Sequence, residues 1–180
     1  NGVAEFDPVI STSLEFGGGY LAQTFVLDNI SNEIDKMSIL ISLKDLTEDP
    51  SYAASLNNTL QVSIYTTSSG VPNASVAPVT TPDIINASDV LYRGWNYANI
   101  NVVGLTPGAT YALVINENIA PGGIPIFKWH TSKNSNPYSN GQGFSGDLAP
   151  TWTALTNRDF YFRIYQSAPP TATETIVPVG

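Results

Sequence analysis

PGATYALVINE, residues 107–117, and PTWTALTNRDFYFRIYQ, residues 150–166, decide the fold of this chain. Each opens on a proline-marked turn and runs into alternating β-branched and aromatic residues. Such alternation puts every second side chain on one face, the pattern of a strand with one side on a core. The same period recurs in MSILISLK (37–44) and LQVSIYT (60–66). YLAQTFVL (20–27), WNYANINVV (95–103) and IPIFKWH (124–130) read as further strands. A short strand is expected over Val76–Thr80, and a loop or one helical turn over Asp83–Leu91. Gly17-Gly18-Gly19, Ser68–Pro72 and Gly104–Gly108 punctuate these runs as turns.

No stretch carries an apolar stripe at helical spacing. The expectation is therefore an all-β, antiparallel two-sheet sandwich of jelly-roll kind with about 8–10 strands. The parity of the alternation predicts that Ile39, Ile41, Val62, Ile64, Leu113, Ile115, Phe160, Phe162 and Ile164 point inward, with Tyr161, Arg163 and Tyr165 facing away. Trp95 and Trp129 sit in strand patterns and read as core. The organisation reads as an N-terminal strand or arm (1–19), a sandwich domain (20–166) and a C-terminal linker or exchanged strand (167–180). The last begins Ser-Ala-Pro-Pro-Thr and ends in the β-prone Thr175–Val179.

Composition narrows the class. In 180 residues only 12% are charged, and the formal net charge is −8 with seven Lys and Arg. So few cations argue against nucleic acid and against anionic membrane, since both are held through basic patches. A neutral surface rich in Ser, Thr, Asn, Gly and Pro reads as extracellular, on a cell or virion surface. There is no cysteine, which removes disulfides and thiolate chemistry. The first residue is Asn, which reads as a processed or trimmed chain.

Several segments, taken in order, resemble the carbohydrate-binding-module-like jelly rolls of secreted bacterial and archaeal proteins and phage structural proteins. They are Ala22–Phe25, Leu60–Tyr65 with Gly70-Val71-Pro72, Trp95, Leu105–Gly108, Tyr111–Ile115, Trp129, Trp152-Thr153 and Phe162–Tyr165. The likeness covers about residues 20–166. It implies a scaffold shared by adhesins, enzyme accessory modules and virion parts, and it carries no ligand site.

Chemistry is sparse. His130 is the one histidine, and no Gly-x-Ser-x-Gly elbow accompanies it. A jelly-roll glycosidase needs two facing carboxylates, for which Glu15, Glu117 and Asp159 are available. Calcium needs six to eight oxygens. Asp45, Glu48 and Asp49 form the metal candidate, and a structural calcium ion is the one cofactor for which the sequence leaves room. Asp28, Asn29 and Asp35, and Asn116-Glu117-Asn118, are further clusters. The binding candidate is the polar loop 131–149, in which Tyr138 is flanked by Asn134, Asn136, Asn140 and Gln142, with Trp152 close by in sequence. An aromatic ring offers a stacking face and amides offer hydrogen bonds, which suits a sugar.

The reading is a non-catalytic extracellular module that mediates attachment through a glycan or another surface polymer. The alternative is a structural subunit of a virion, as a decoration or fibre protein, or of an extracellular filament that self-associates through terminal strands. A jelly-roll glycoside hydrolase is a remote third.

Overall fold

The computed structural model describes residues 4–5, 12–17, 19–28, 32–45, 49–90, 93–132, 138–146 and 151–166. Two antiparallel sheets pack face to face, and among the described residues helix is confined to the four residues Tyr52–Ser55 (α1) and a 3-10 turn, Ala87–Asp89.

The first sheet is built on β4 (Lys36–Leu43). Along one side of it runs β8 (Arg93–Ala98). Along the other lie β13 (Phe162–Tyr165) and β10 (Phe127–Thr131), end to end. β1 (Ala4–Glu5) then pairs with β13, and β2 (Thr12–Glu15) with β10. The proposed N-terminal arm thus contributes strands to the sandwich itself.

The second sheet runs β12 (Trp152–Ala154), β11 (Gly143–Gly146), β3 (Tyr20–Val26), β9 (Thr110–Asn118), β5 (Thr59–Ser68). Two short strands complete it on β5: β6 (Val71–Pro72) and β7 (Asp83–Asn86).

Alternation explains what meets between the sheets. Met37, Ile39 and Ile41 of β4 have no solvent exposure, and neither do Leu60, Val62 and Ile64 of β5 or Leu113 and Ile115 of β9. Phe160, Phe162 and Ile164 join them, so each expected core position is buried. Trp129 stacks on Phe160 at 4.2 Å, and its indole N–H donates to the Tyr161 carbonyl at 3.0 Å. That bond removes the penalty of burying an indole N–H.

Among the described residues there are thirteen strands, more than eight to ten because two-residue and edge pieces such as β1, β6 and β12 count separately. Val76–Thr80 is not a strand. Pro78 lacks an N–H for a ladder, and the Val79 N–H donates to Ile64 O at 2.8 Å. Asp83–Asn86 pairs with β5 before the 3-10 turn, and β10 begins at Phe127 rather than Ile124. Trp95 is the correction of consequence. Its register partner Leu40 lies on the outer side of β4, so Trp95 faces outward and is half-buried, while Ala98 of the same strand faces the core with no exposure.

Two buried carboxylates pin the loops. Glu117 Oε1 accepts from Asn58 Nδ2 and from the Ile126 amide, both at 2.8 Å. Asn58 in turn holds Ile124 O and the Ala120 amide. Asp159 accepts from Gln23 Nε2 at 3.2 Å and from the Tyr138 amide at 3.0 Å, and its own amide donates to Ser132 Oγ. Burial raises the pKa of both carboxyls, and the donated hydrogen bonds oppose the rise.

Candidate functional site

Of the residues singled out in the loop 131–149, Tyr138, Asn140 and Gln142 are among the described ones, and they do not face a common site. Asn134 and Asn136 lie outside the described residues. Tyr138 is turned into the protein rather than offered to a ligand. Its ring meets Phe162 edge-on at 5.4 Å, and its hydroxyl accepts from the Val26 amide at 3.2 Å. Burial raises the Tyr138 phenol. Gln142 is equally occupied, with Nε2 donating to Leu155 O at 2.7 Å and Gly143 O at 3.0 Å. Asn140 is exposed at a turn. Tyr138 and Gln142 are thus anchors of the segment, because an aromatic beside Asp159 and Phe162 gains more from the core than from water.

Glu48 lies outside the described residues, and Asp49 Oδ1 accepts from the Ser51 amide at 2.7 Å, closing the turn before α1. In the Asn116–Asn118 cluster, strand alternation sends Glu117 inward, while Asn116 Nδ2 bonds Asn118 Oδ1 on the other face. Among the described residues no three His, Cys, Asp or Glu side chains are grouped to share a metal ion. Each of the three carboxylates considered for glycosidase chemistry has partners of its own: Glu15 forms an ion pair with Lys44, and Glu117 and Asp159 sit in the two loop networks. His130 is buried, with Nε2 2.9 Å from Ser42 Oγ.

Trp152 stands elsewhere, on the outer face of the second sheet. Register explains its neighbours. Trp152 pairs with Gly146, and Gly146 with Tyr20; Ala154 pairs with Phe144, Phe144 with Ala22, and Ala22 with Val114. On this outer face Ala22, Ala112, Val114 and Phe144 form a second buried cluster, covered by the half-buried rings of Tyr20, Tyr65 and Trp152. Gly146 is required here. A Cβ on it would stand 2.9 Å from the Thr151 carbonyl and 3.0 Å from the indole ring, so the missing side chain is what lets Trp152 lie across the strand.

Between that ring and the turn after β5 lies a cleft of about 250 Å³, lined by Trp152, Ser68, Val71, Pro72, Asn73 and Ser75. The Trp152 Nε1 atom is removed from solvent and has no hydrogen-bond partner among the described residues. Gly146 and Thr151 also border a second hollow of about 320 Å³, with Tyr20, Glu15 and Phe16. Burial raises the Tyr20 phenol, and the neighbouring Tyr65 adds to the rise. The arrangement can do two things chemically: stack the apolar face of a ring on the indole, and exchange hydrogen bonds with hydroxyl and amide groups.

Tyr20, Tyr65, Phe144 and Gly146 did not stand out in the sequence. Their signal was the second parity of the strands: in YLAQTFVL, Tyr20, Ala22 and Thr24 alternate with the core residues Leu21 and Phe25. No protein-family model matches the chain, and no curated protein matches it.

Proposed function

We propose that the protein is a non-catalytic extracellular attachment module that takes an uncharged glycan, or a surface polymer of similar chemistry, in the Trp152 cleft. The observation that carries the reading is the indole itself. Its ring is partly exposed in a cleft, and Ser68, Asn73 and Ser75 stand beside it. The stack and the hydrogen bonds are the two contacts a pyranose ring offers. The likeness to carbohydrate-binding jelly rolls supports the same reading.

The test is a screen of neutral oligosaccharides on an array, followed by calorimetric titration of the best binder. Trp152→Ala should abolish the heat of binding while circular dichroism stays that of a β-sandwich. Undiminished binding by Trp152→Ala, or no glycan bound at all, overturns the proposal.

A further inference from the structure

The outer face of the first sheet is chemically unlike the cleft. Alternation places Lys36, Ser38, Leu40 and Ser42 of β4 on it. Register then sets Tyr165 opposite Lys36, Tyr97 and Arg163 on either side of Ser38, Trp95 opposite Leu40 and Lys128 opposite Ser42. The side chains interlock. The Arg163 guanidinium lies 3.9 Å from the centre of the Trp95 ring. Lys36 Nζ stands 4.8 Å from the Tyr97 ring and 4.9 Å from the Tyr165 ring. Tyr97 is 54% exposed.

The charge is as uneven as the aromaticity. Of seven Lys and Arg in a chain of net charge −8, Lys36, Lys44, Lys128 and Arg163 belong to this face, and Arg93 holds the register position opposite Ser42. The acids facing them are Glu15, ion-paired with Lys44 and in register with Lys128, and the exposed Asp35 beside Lys36; Glu5 holds the register position opposite Arg163.

From this we infer that the outer face of the first sheet is a second interaction surface, fitted to a polysaccharide that carries carboxylate or sulfate groups. Trp95 and Tyr97 are two residues apart on one strand, so their rings step about 7 Å along it. That spacing presents repeated stacking faces, and the interleaved cations meet an anion attached to each ring. The occupant must carry its charge sparsely. A duplex with one charge per roughly 1.7 Å would be held only by many more cations, and the remaining acidic surface would repel it. This inference does not rest on the Trp152 cleft.

The experiment titrates the intact chain with polyuronate and with chondroitin sulfate, using neutral dextran as control, at low and at physiological salt. Binding to the two polyanions should weaken at least about fivefold at the higher salt. Lys36→Gln and Lys128→Gln, changes at exposed or half-exposed positions, should each weaken it further, about fivefold or more, with the melting temperature unchanged. Trp152→Ala should leave polyanion binding intact. No binding, or binding indifferent to salt and to both lysine variants, overturns the inference. Equal affinity for single-stranded DNA or for phosphatidylserine vesicles overturns the choice of a polysaccharide. Salt-sensitive oligomers in sedimentation that disappear in Lys36→Gln would assign the face to a second, acidic copy of the chain instead.

Discussion

The two outer faces of the sandwich use aromatic side chains in opposite ways. On the second sheet, Tyr20, Tyr65 and Trp152 lie over small or apolar residues, and the four side chains beneath them are buried as a second core. On the first sheet, Trp95, Tyr97 and Tyr165 lie among cations, and the contacts are cation–π pairs with Arg163 and Lys36. One face hides aromatic area from water and leaves a cleft. The other leaves it in water and decorates it with charge. Aromatic content by itself therefore does not identify a binding surface. What lies under and between the rings decides which ligand the surface suits.

The difference should be largest in stability. Phe144→Ala empties the cluster beneath Trp152 and should cost about 3 kcal/mol, near the lower end for a buried phenylalanine. Trp95→Ala removes a half-exposed ring and a cation–π contact and should cost about 1 kcal/mol. Urea denaturation of the two variants measures both, and equal losses would erase the distinction between a covered face and a decorated one.

Gly146→Ala probes the cleft alone. The added methyl meets the Thr151 carbonyl and the indole, so the ring must lift at a cost of about 1–2 kcal/mol. Neutral-glycan binding should fall with it while polyanion binding stays, which paired titrations would check. A parallel loss at both faces would mean that the two are coupled through the sandwich.

A third contrast is in pH. The second sheet holds Glu117 on β9, whose pKa burial raises above the ordinary 4.5. A raised folded-state pKa gives a contribution that is fully present below 4.5 and is lost as pH rises through the folded value, because the unfolded chain ionises first. Glu117→Gln keeps an oxygen for Asn58 and Ile126 and cannot ionise, so its stability should fall less than wild type over that window. On the first sheet the groups that shift are phenols. The hydrogen bond to Tyr165 raises Tyr97. In Tyr165 burial acts upward, but hydrogen bonds from neighbours, Tyr97 and Arg163 among them, outweigh it and bring the phenol below its ordinary value. Stability of Glu117→Gln and wild type, followed from pH 4 to 8 by thermal melts, tests the assignment, and identical profiles would refute it.

The smallest effect is expected at Tyr97→Ala. The ring is mostly in water, so the melting temperature should not move, while polyanion affinity drops. A destabilised variant would mean that Tyr97 belongs to the structure rather than to the surface.

Much of the fold was legible in the chain. MSILISLK and LQVSIYT announced their strands and their inward residues, because alternation is imposed by the pleat and is carried by each segment alone. The site was far less legible. Trp95 and Trp129 occupy similar patterns, yet Trp129 is fully buried and Trp95 faces outward. In β8 Gly94, Asn96 and Ala98 turn inward, in register with Ile41, Ile39 and Met37. Hydrophobicity favours the aromatic side of such a strand, and packing volume favours the small one. Tyr138 was misread for a related reason. A polar loop suggests exposure, and only Asp159 and Phe162, more than twenty residues on in sequence, show that Tyr138 is tied down.

Local pattern alone established that this is an antiparallel sandwich without a helical core, which residues alternate, and that cations are scarce. Tertiary structure decided which of two parities met the core at β8, which glycine lay under Trp152, and that most of the few cations gathered on one sheet. These are matters of strand order and register, which join residues distant in sequence, and no segment holds them by itself.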